Sequence, residues 1–218
     1  MEIQPTNSLP EPAPALRAPV PASLPVRSVL ALSRQLLRFE RAAIMGLMFL
    51  LTGLILLNVV TRYTGRSIYW IDESAVYSVV WLTFIGASAM TRLRLDFAVT
   101  LLTERLSARH ARIAKILATG GVVLFGVALI WMCWLWMDPI GIARSGFDAR
   151  EYAGQSFNFL YTERTQTLNW PTWIVYLIMP LFSVSMAVHG TANIVEDMGL
   201  AEKEAHPGFP MANAETVS

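Results

Sequence analysis

Long apolar runs alternate with short charged segments along this chain, and four of the runs contain no Asp, Glu, Lys or Arg. The pattern predicts helices over residues 42–61, 70–91, 116–137 and 171–194, the second beginning with a polar turn. A helix rises about 1.5 Å per residue, so about 20 residues cover the roughly 30 Å hydrocarbon core of a bilayer. Because a backbone in lipid must satisfy its own hydrogen bonds, we expect an all-α integral membrane protein with four transmembrane helices.

The composition supports a membrane protein and argues against other classes. Of the 218 residues, 54% are hydrophobic and 15% are charged, whereas soluble domains usually carry about a quarter charged residues. The net charge of +1 provides no basic surface for nucleic acid, and a single cysteine, Cys133, excludes an intrachain disulfide. The first run, at about 20 residues, is too long for the apolar part of a cleavable signal peptide.

Lys and Arg are distributed unevenly between the two sides of the predicted helices. Twelve of the 17 lie in the N-terminal segment, in the 92–115 connection and in the C-terminal tail, and five lie in the two segments on the other side. Cytoplasmic segments are enriched in Lys and Arg, so both termini are predicted to be cytoplasmic. Trp and Tyr residues cluster at the predicted outer helix ends, where such rings favour the headgroup zone.

The segments outside the spans differ in character. Residues 1–27 contain seven prolines and are predicted to be a disordered cytoplasmic arm, residues 28–197 the four-helix membrane domain, and residues 198–218 a cytoplasmic tail. The connection between the second and third spans is predicted to contain an amphipathic cytoplasmic surface helix, because apolar residues recur with helical spacing at Leu95, Val99, Leu102 and Leu106. Its Arg residues either lie on anionic lipid headgroups or dock a partner subunit.

The predicted periplasmic loop, residues 138–170, is long and rich in aromatic residues. Loops longer than about 15 residues are usually functional or disordered, and the aromatic content argues against plain disorder. We expect a short helix within this loop. The sequence leaves open whether the loop contacts something outside or folds onto its own membrane rim.

The charge-free parts of the spans offer little for catalysis. No HExxH, GxSxG or phosphate-loop motif occurs, and His189, the one histidine in an apolar segment, cannot supply both ligands of a bis-histidine haem site. We expect no enzyme activity, no cofactor and no metal site. His189 is interpreted as an interhelical polar contact. Pro180 is expected to kink the fourth helix, because it cannot donate to the Tyr176 carbonyl.

Asp72 and Glu73 stand where the second helix is predicted to begin. Neighbouring helix positions point about 100° apart, so the two acids do not converge as a catalytic pair would. Acids are favoured near helix N-termini, and Arg62 is a nearby cation. We interpret the two residues first as a helix cap with a rim ion pair to Arg62. A contact to another membrane subunit is the second interpretation, and catalysis the third.

The order of these features resembles the DctQ family, the small membrane subunit of tripartite ATP-independent periplasmic (TRAP) transporters. That family shows an Arg-Tyr pair after the first helix, then Trp-x-Glu-Glu, then Trp-x-x-Phe-Leu-Gly-Ala. The matching positions here are Arg62-Tyr63, the segment from Trp70 to Glu73, and the segment from Trp81 to Ala87. The likeness spans roughly residues 40–195.

The resemblance implies a multi-pass protein of the bacterial inner membrane that acts as a scaffold. Its partners would be a large permease subunit and a periplasmic solute-binding protein that delivers an organic acid for ion-coupled uptake. Residues expected to serve structure or the partner interface are Arg62, Trp70, Asp72, Glu73, Trp81 and Gly86. The alternative function is an orphan four-helix membrane anchor or assembly factor. A membrane enzyme or a self-sufficient exporter would need a reactive cluster or an intramembrane acid, and the charge-free parts of the predicted spans contain neither.

Overall fold

The computed structural model of the protein describes residues 23–95 and 106–203. Within these ranges the chain forms seven helices: α1 (Leu24–Tyr63), α2 (Tyr69–Leu93), α3 (Ala108–Met137), α4 (Pro139–Arg144), α5 (Ala149–Ser156), α6 (Thr172–Tyr176) and α7 (Ile178–Asp197). Four helical segments are long and apolar enough to cross a membrane, namely α1, α2, α3 with α4, and α6 with α7. The predicted all-α class with four such segments is therefore confirmed.

The first helix, α1, is longer than the hydrophobic run that predicted it. Its 40 residues correspond to about 60 Å, roughly twice the thickness of a hydrocarbon core. Residues 24–27 were expected in the disordered arm, but they form the first turn of α1. Pro25 fits there because the first N–H groups of a helix have no intrahelical acceptor. The rest of the predicted arm, residues 1–22, lies outside the described residues.

The connection after α2 is shorter than the predicted 92–115 segment. Helix α2 continues to Leu93 and α3 begins at Ala108, so the flanking helices include both ends of that segment. The centre of the predicted amphipathic surface helix, residues 96–105, lies outside the described residues, as do residues 204–218 of the tail. The surface helix therefore stays a prediction.

Helix α7 is central to the bundle, because it packs against α1, α2 and α3. Its approach to α3 is close. A Cβ added to Gly190 would lie 2.7 Å from Val123 Cγ2, and one added to Gly126 would lie 3.2 Å from the Ala187 backbone nitrogen. In lipid the hydrophobic effect does not drive helices together, so their association depends on close packing, which small residues permit.

The fourth span is interrupted near its start. A turn at Leu177 separates α6 from α7, and Pro180 follows in the first turn of α7. Proline has no N–H to donate to the Tyr176 carbonyl and crowds the preceding turn, which accounts for a break at this point. The interruption lies where Pro180 was expected to act, and the kink itself stays a prediction.

Candidate functional site

A small cluster of polar residues joins the end of α1 to the start of α2. Arg62 Nη2 lies 2.9 Å from Asp72 Oδ2, and Asn58 Nδ2 donates to Asp72 Oδ1 at 2.6 Å. Arg62 Nε also donates to Asn58 Oδ1 at 3.0 Å. We call Asn58, Arg62 and Asp72 the rim cluster. The expected ion pair is thus present with Asp72, but its side chains are 61% and 53% exposed, and such pairs contribute about 0–1 kcal/mol.

Glu73 does not cap α2, contrary to our expectation. The helix begins at Tyr69, so Asp72 and Glu73 lie at its fourth and fifth positions, beyond the N-terminal positions from which side chains usually cap, and Ile68 at the N-cap makes no side-chain cap bond. The Glu73 carboxylate instead accepts three backbone N–H bonds from residues 166–168, at 2.9, 2.7 and 2.9 Å. The hydroxyls of Thr167 and Tyr77 donate to it as well. Glu73 therefore fixes the 138–170 loop to the start of α2.

The same loop also closes the end of α3. The Tyr161 hydroxyl donates to the Met137 carbonyl at 2.6 Å, and Asn158 Nδ2 donates to the Trp136 carbonyl at 2.7 Å. These are among the last carbonyls of α3, which have no partner within the helix. The interpretation that the loop folds onto its own rim is confirmed by these contacts. A contact with an outside partner stays a prediction.

The loop contains two short helices where one was expected, and each begins at an aspartate. Asp138 accepts from the Gly141 N–H at 2.9 Å at the start of α4. Asp148 accepts from the N–H groups of Arg150 and Glu151 at the start of α5. The hydrogen bond from the Glu151 N–H, and to a smaller extent that from the Arg150 N–H, holds the pKa of the Asp148 carboxyl below its usual range. These caps give the loop a defined shape without a disulfide.

Three other predicted site residues are not members of the rim cluster. The Trp81 indole N–H donates to the Val175 carbonyl at 3.1 Å, which satisfies a carbonyl in the last turn of α6 and joins α2 to the fourth span. Trp70 is 43% exposed. Gly86 has no atom within 4 Å of the position a Cβ would occupy, so it does not mediate a close approach inside this chain.

A buried ion-pair cluster lies at the other end of α2. Arg92 Nη2 lies 2.6 Å from Glu196 Oε1, and the two side chains are 1% and 3% exposed. Arg92 Nη1 also donates to Asn193 Oδ1 at 2.6 Å. Arg94 pairs with Asp197 at 2.7 Å and with Glu196 at 3.3 Å. Arg92 lies in the last turn of α2, and Arg94 directly follows that helix. Both arginines are thereby joined to the end of α7.

A second buried network links α1, α2 and α7. Ser33 Oγ and His189 Nδ1 are 2.8 Å apart, and His189 Nε2 is 3.1 Å from Glu40 Oε2. Ser185 donates to Glu40 Oε1, and its Oγ is 2.6 Å from Ser88 Oγ. All five residues are buried. The interhelical role predicted for His189 is confirmed.

Glu40, Arg92 and Glu196 were not predicted as site residues from the sequence. One signal was available. Ser185, His189, Asn193 and Glu196 are spaced four, four and three residues apart, which places them on one face of a helix. A polar stripe on an otherwise apolar helix indicates polar partners on its neighbours.

Comparison with known proteins identifies the family. Residues 51–199 match the family described as tripartite ATP-independent periplasmic transporters, DctQ component, and this range is more than half of the 218-residue chain. It includes the rim cluster and the buried ion-pair cluster, whereas Ser33 and Glu40 precede it. Searches of curated proteins and of solved structures gave no match. The chain therefore belongs to the DctQ family, the small permease component of TRAP transporters.

Proposed function

We propose that this chain is a scaffold that braces a large permease subunit during ion-coupled uptake of an organic acid delivered by a periplasmic solute-binding protein. The observation that carries this proposal is that buried ionisable residues of the described helices pair with one another. Arg92 pairs with Glu196, and Glu40 with His189. Groups held in such pairs fix helices in place and are not available to bind a substrate, so we assign the substrate and ion sites to the large subunit.

Helix α2 offers a face for that partner. Val76, Thr83 and Met90 are exposed and lie seven residues apart, and Gly86 lies between them on the same side of the helix. Because a Cβ at Gly86 would meet nothing within 4 Å, a partner helix can approach the backbone closely there. We infer that this face contacts the large subunit, with Trp70 and the exposed rim cluster at one end of the contact.

The proposed orientation places both termini in the cytoplasm, with Lys and Arg near that end facing anionic lipid headgroups. A reporter that is active only in the cytoplasm should be active when fused after Ser218. The same reporter should be silent when fused within residues 145–165. Activity at the second position would contradict this topology.

Co-purification with a co-expressed large TRAP permease from the same transporter tests the partner face. Gly86→Leu should reduce the recovered complex, because the new side chain occupies the space proposed for the partner. Gly53→Leu is the matched control, since its Cβ position on α1 is equally open. Equal recovery of both variants would exclude the proposed face. A wild-type chain that fails to retain the permease would instead support the orphan anchor or assembly factor.

A further inference from the structure

A cleft lies where the start of α3 meets the end of α7. Its volume is about 290 Å³, and it is lined by Ala111, Arg112, Lys115, Glu196, Asp197 and Lys203. A single buried water needs only about 15 Å³, so the cleft admits a group much larger than one water or one ion. We propose that this cleft binds the headgroup of one ethanolamine phospholipid. The inference requires only that the helices span a membrane, and it does not depend on the transport role.

The charges lining the cleft favour a phosphate. Arg112, Lys115 and Lys203 contribute three positive charges, and all three residues are exposed. The two acids are partly neutralised, because Glu196 is paired with Arg92 and Arg94, and Asp197 with Arg94. Arg and Lys bind phosphate through charge-assisted hydrogen bonds.

One buried oxygen of a residue that lines the cleft lacks a donor, and phosphate does not provide one. The Asp197 side chain is 6% exposed; its Oδ1 accepts from Arg94, while its Oδ2 is buried with no hydrogen-bond partner. Leaving a buried charged oxygen unpaired is costly. A ligand that carries both a phosphate and a cationic N–H donor satisfies the cations and, after a rotation of the Asp197 carboxylate toward the cleft, this oxygen as well. The ethanolamine headgroup has both groups, separated by two carbon atoms.

The position of the cleft favours a lipid over a soluble ligand. The charge-free run of α3 begins directly after Lys115, and α7 ends at Asp197, so the cleft lies at the level where the spans leave the hydrocarbon core. Ile113 and Leu117 on α3 are 48% and 70% exposed, which provides apolar surface beside the cleft for acyl chains. Cationic side chains at helix ends commonly reach headgroups in this way.

Lipid titration of the full chain in detergent, followed by native mass spectrometry, tests the proposal. The wild type should bind one phosphatidylethanolamine more tightly than phosphatidylcholine, whose quaternary ammonium has no N–H, and more tightly than phosphatidylglycerol. Excess inorganic phosphate should not displace the lipid. Equal binding of the three lipids, or displacement by phosphate, would contradict the assignment.

Two sets of variants separate the phosphate contacts from the donor contact. Lys115→Gln with Lys203→Gln should weaken phosphatidylethanolamine binding on the order of tenfold, whereas Arg109→Gln, an exposed cation outside the lining, should leave it unchanged. Asp197→Asn should abolish the preference over phosphatidylcholine while binding through the phosphate persists. A thermal melt of each variant verifies that the bundle is intact. Unchanged affinity in the double variant, or unchanged preference in Asp197→Asn, would overturn the proposal.

Discussion

Replacing Glu196 by alanine should destabilise the bundle more than any comparable change at its exposed rim. Glu196 accepts from Arg92 Nη2 at 2.6 Å, from Arg92 Nη1 at 3.0 Å and from Arg94 Nη2 at 3.3 Å. The Arg92 side chain is 1% exposed, so removing the carboxylate takes the Glu196 counter-charge away from a buried guanidinium. Breaking a buried ion pair from one side typically costs about 3–5 kcal/mol.

This cost corresponds to a lower midpoint of thermal unfolding. A change of about 1 kcal/mol shifts the midpoint by about 2–4 °C for a chain of this size, so Glu196→Ala should lower it by about 6–20 °C. Asp72→Ala is the matched control, because it also removes an acid from an ion pair. The Asp72 side chain is 53% exposed, and such an exposed pair contributes about 0–1 kcal/mol. Both variants are melted in the same detergent, and unfolding is followed by circular dichroism.

A double variant shows whether the loss comes from the buried charge of Arg92 once Glu196 is absent. Replacing both Arg92 and Glu196 by methionine removes the charge together with its partner, and buried ion pairs replaced by apolar residues are often tolerated. The double variant should therefore melt above Glu196→Ala. If Glu196→Ala melts within the range of Asp72→Ala, or if the double variant is no more stable than the single one, the reasoning about this cluster is wrong.

Two further predictions concern local contacts. Glu73→Gln should increase hydrogen exchange at the backbone N–H groups of residues 166–168, because the glutamine side chain cannot accept all the N–H bonds that the carboxylate accepts. The control Glu163→Gln, at an exposed residue of the same loop, should leave that exchange unchanged. Gly190→Ala should destabilise the α3–α7 contact by about 1–3 kcal/mol in thermal melts, since the added Cβ would lie 2.7 Å from Val123 Cγ2. Adding Val123→Ala should restore part of the loss. An unchanged melt for Gly190→Ala would count against this close packing.

The sequence predicted those features that depend on neighbouring residues. The four spans follow from long charge-free runs, and the Arg62–Asp72 pair follows because only a short turn separates α1 from α2. The start of α1 was not predicted, because hydropathy indicates only the part of a helix that lies in the hydrocarbon core. A helix can begin outside that core. Arg34, Arg38 and Arg41 are compatible with a helix, so α1 begins before them.

The sequence did not predict contacts between residues far apart in the chain. Glu40 and His189 are 149 residues apart, and Glu73 and Leu168 are 95 apart. Each pairing depends on how helices or a loop pack in three dimensions, which no local pattern specifies. Glu73 was assigned to a cap because acids are favoured near helix N-termini and the sequence did not show the loop that it binds. Its actual position, one turn inside α2, directs its carboxylate to the loop instead.

Transport by reconstituted vesicles tests the scaffold role most directly. Proteoliposomes are prepared with this chain alone, with the large permease alone and with both, and uptake of organic acids is measured with the periplasmic binding protein and an ion gradient present. We expect no uptake by this chain alone and uptake only when the large permease is present, with higher activity when both subunits are combined. Uptake of substrate by this chain alone would contradict the scaffold role.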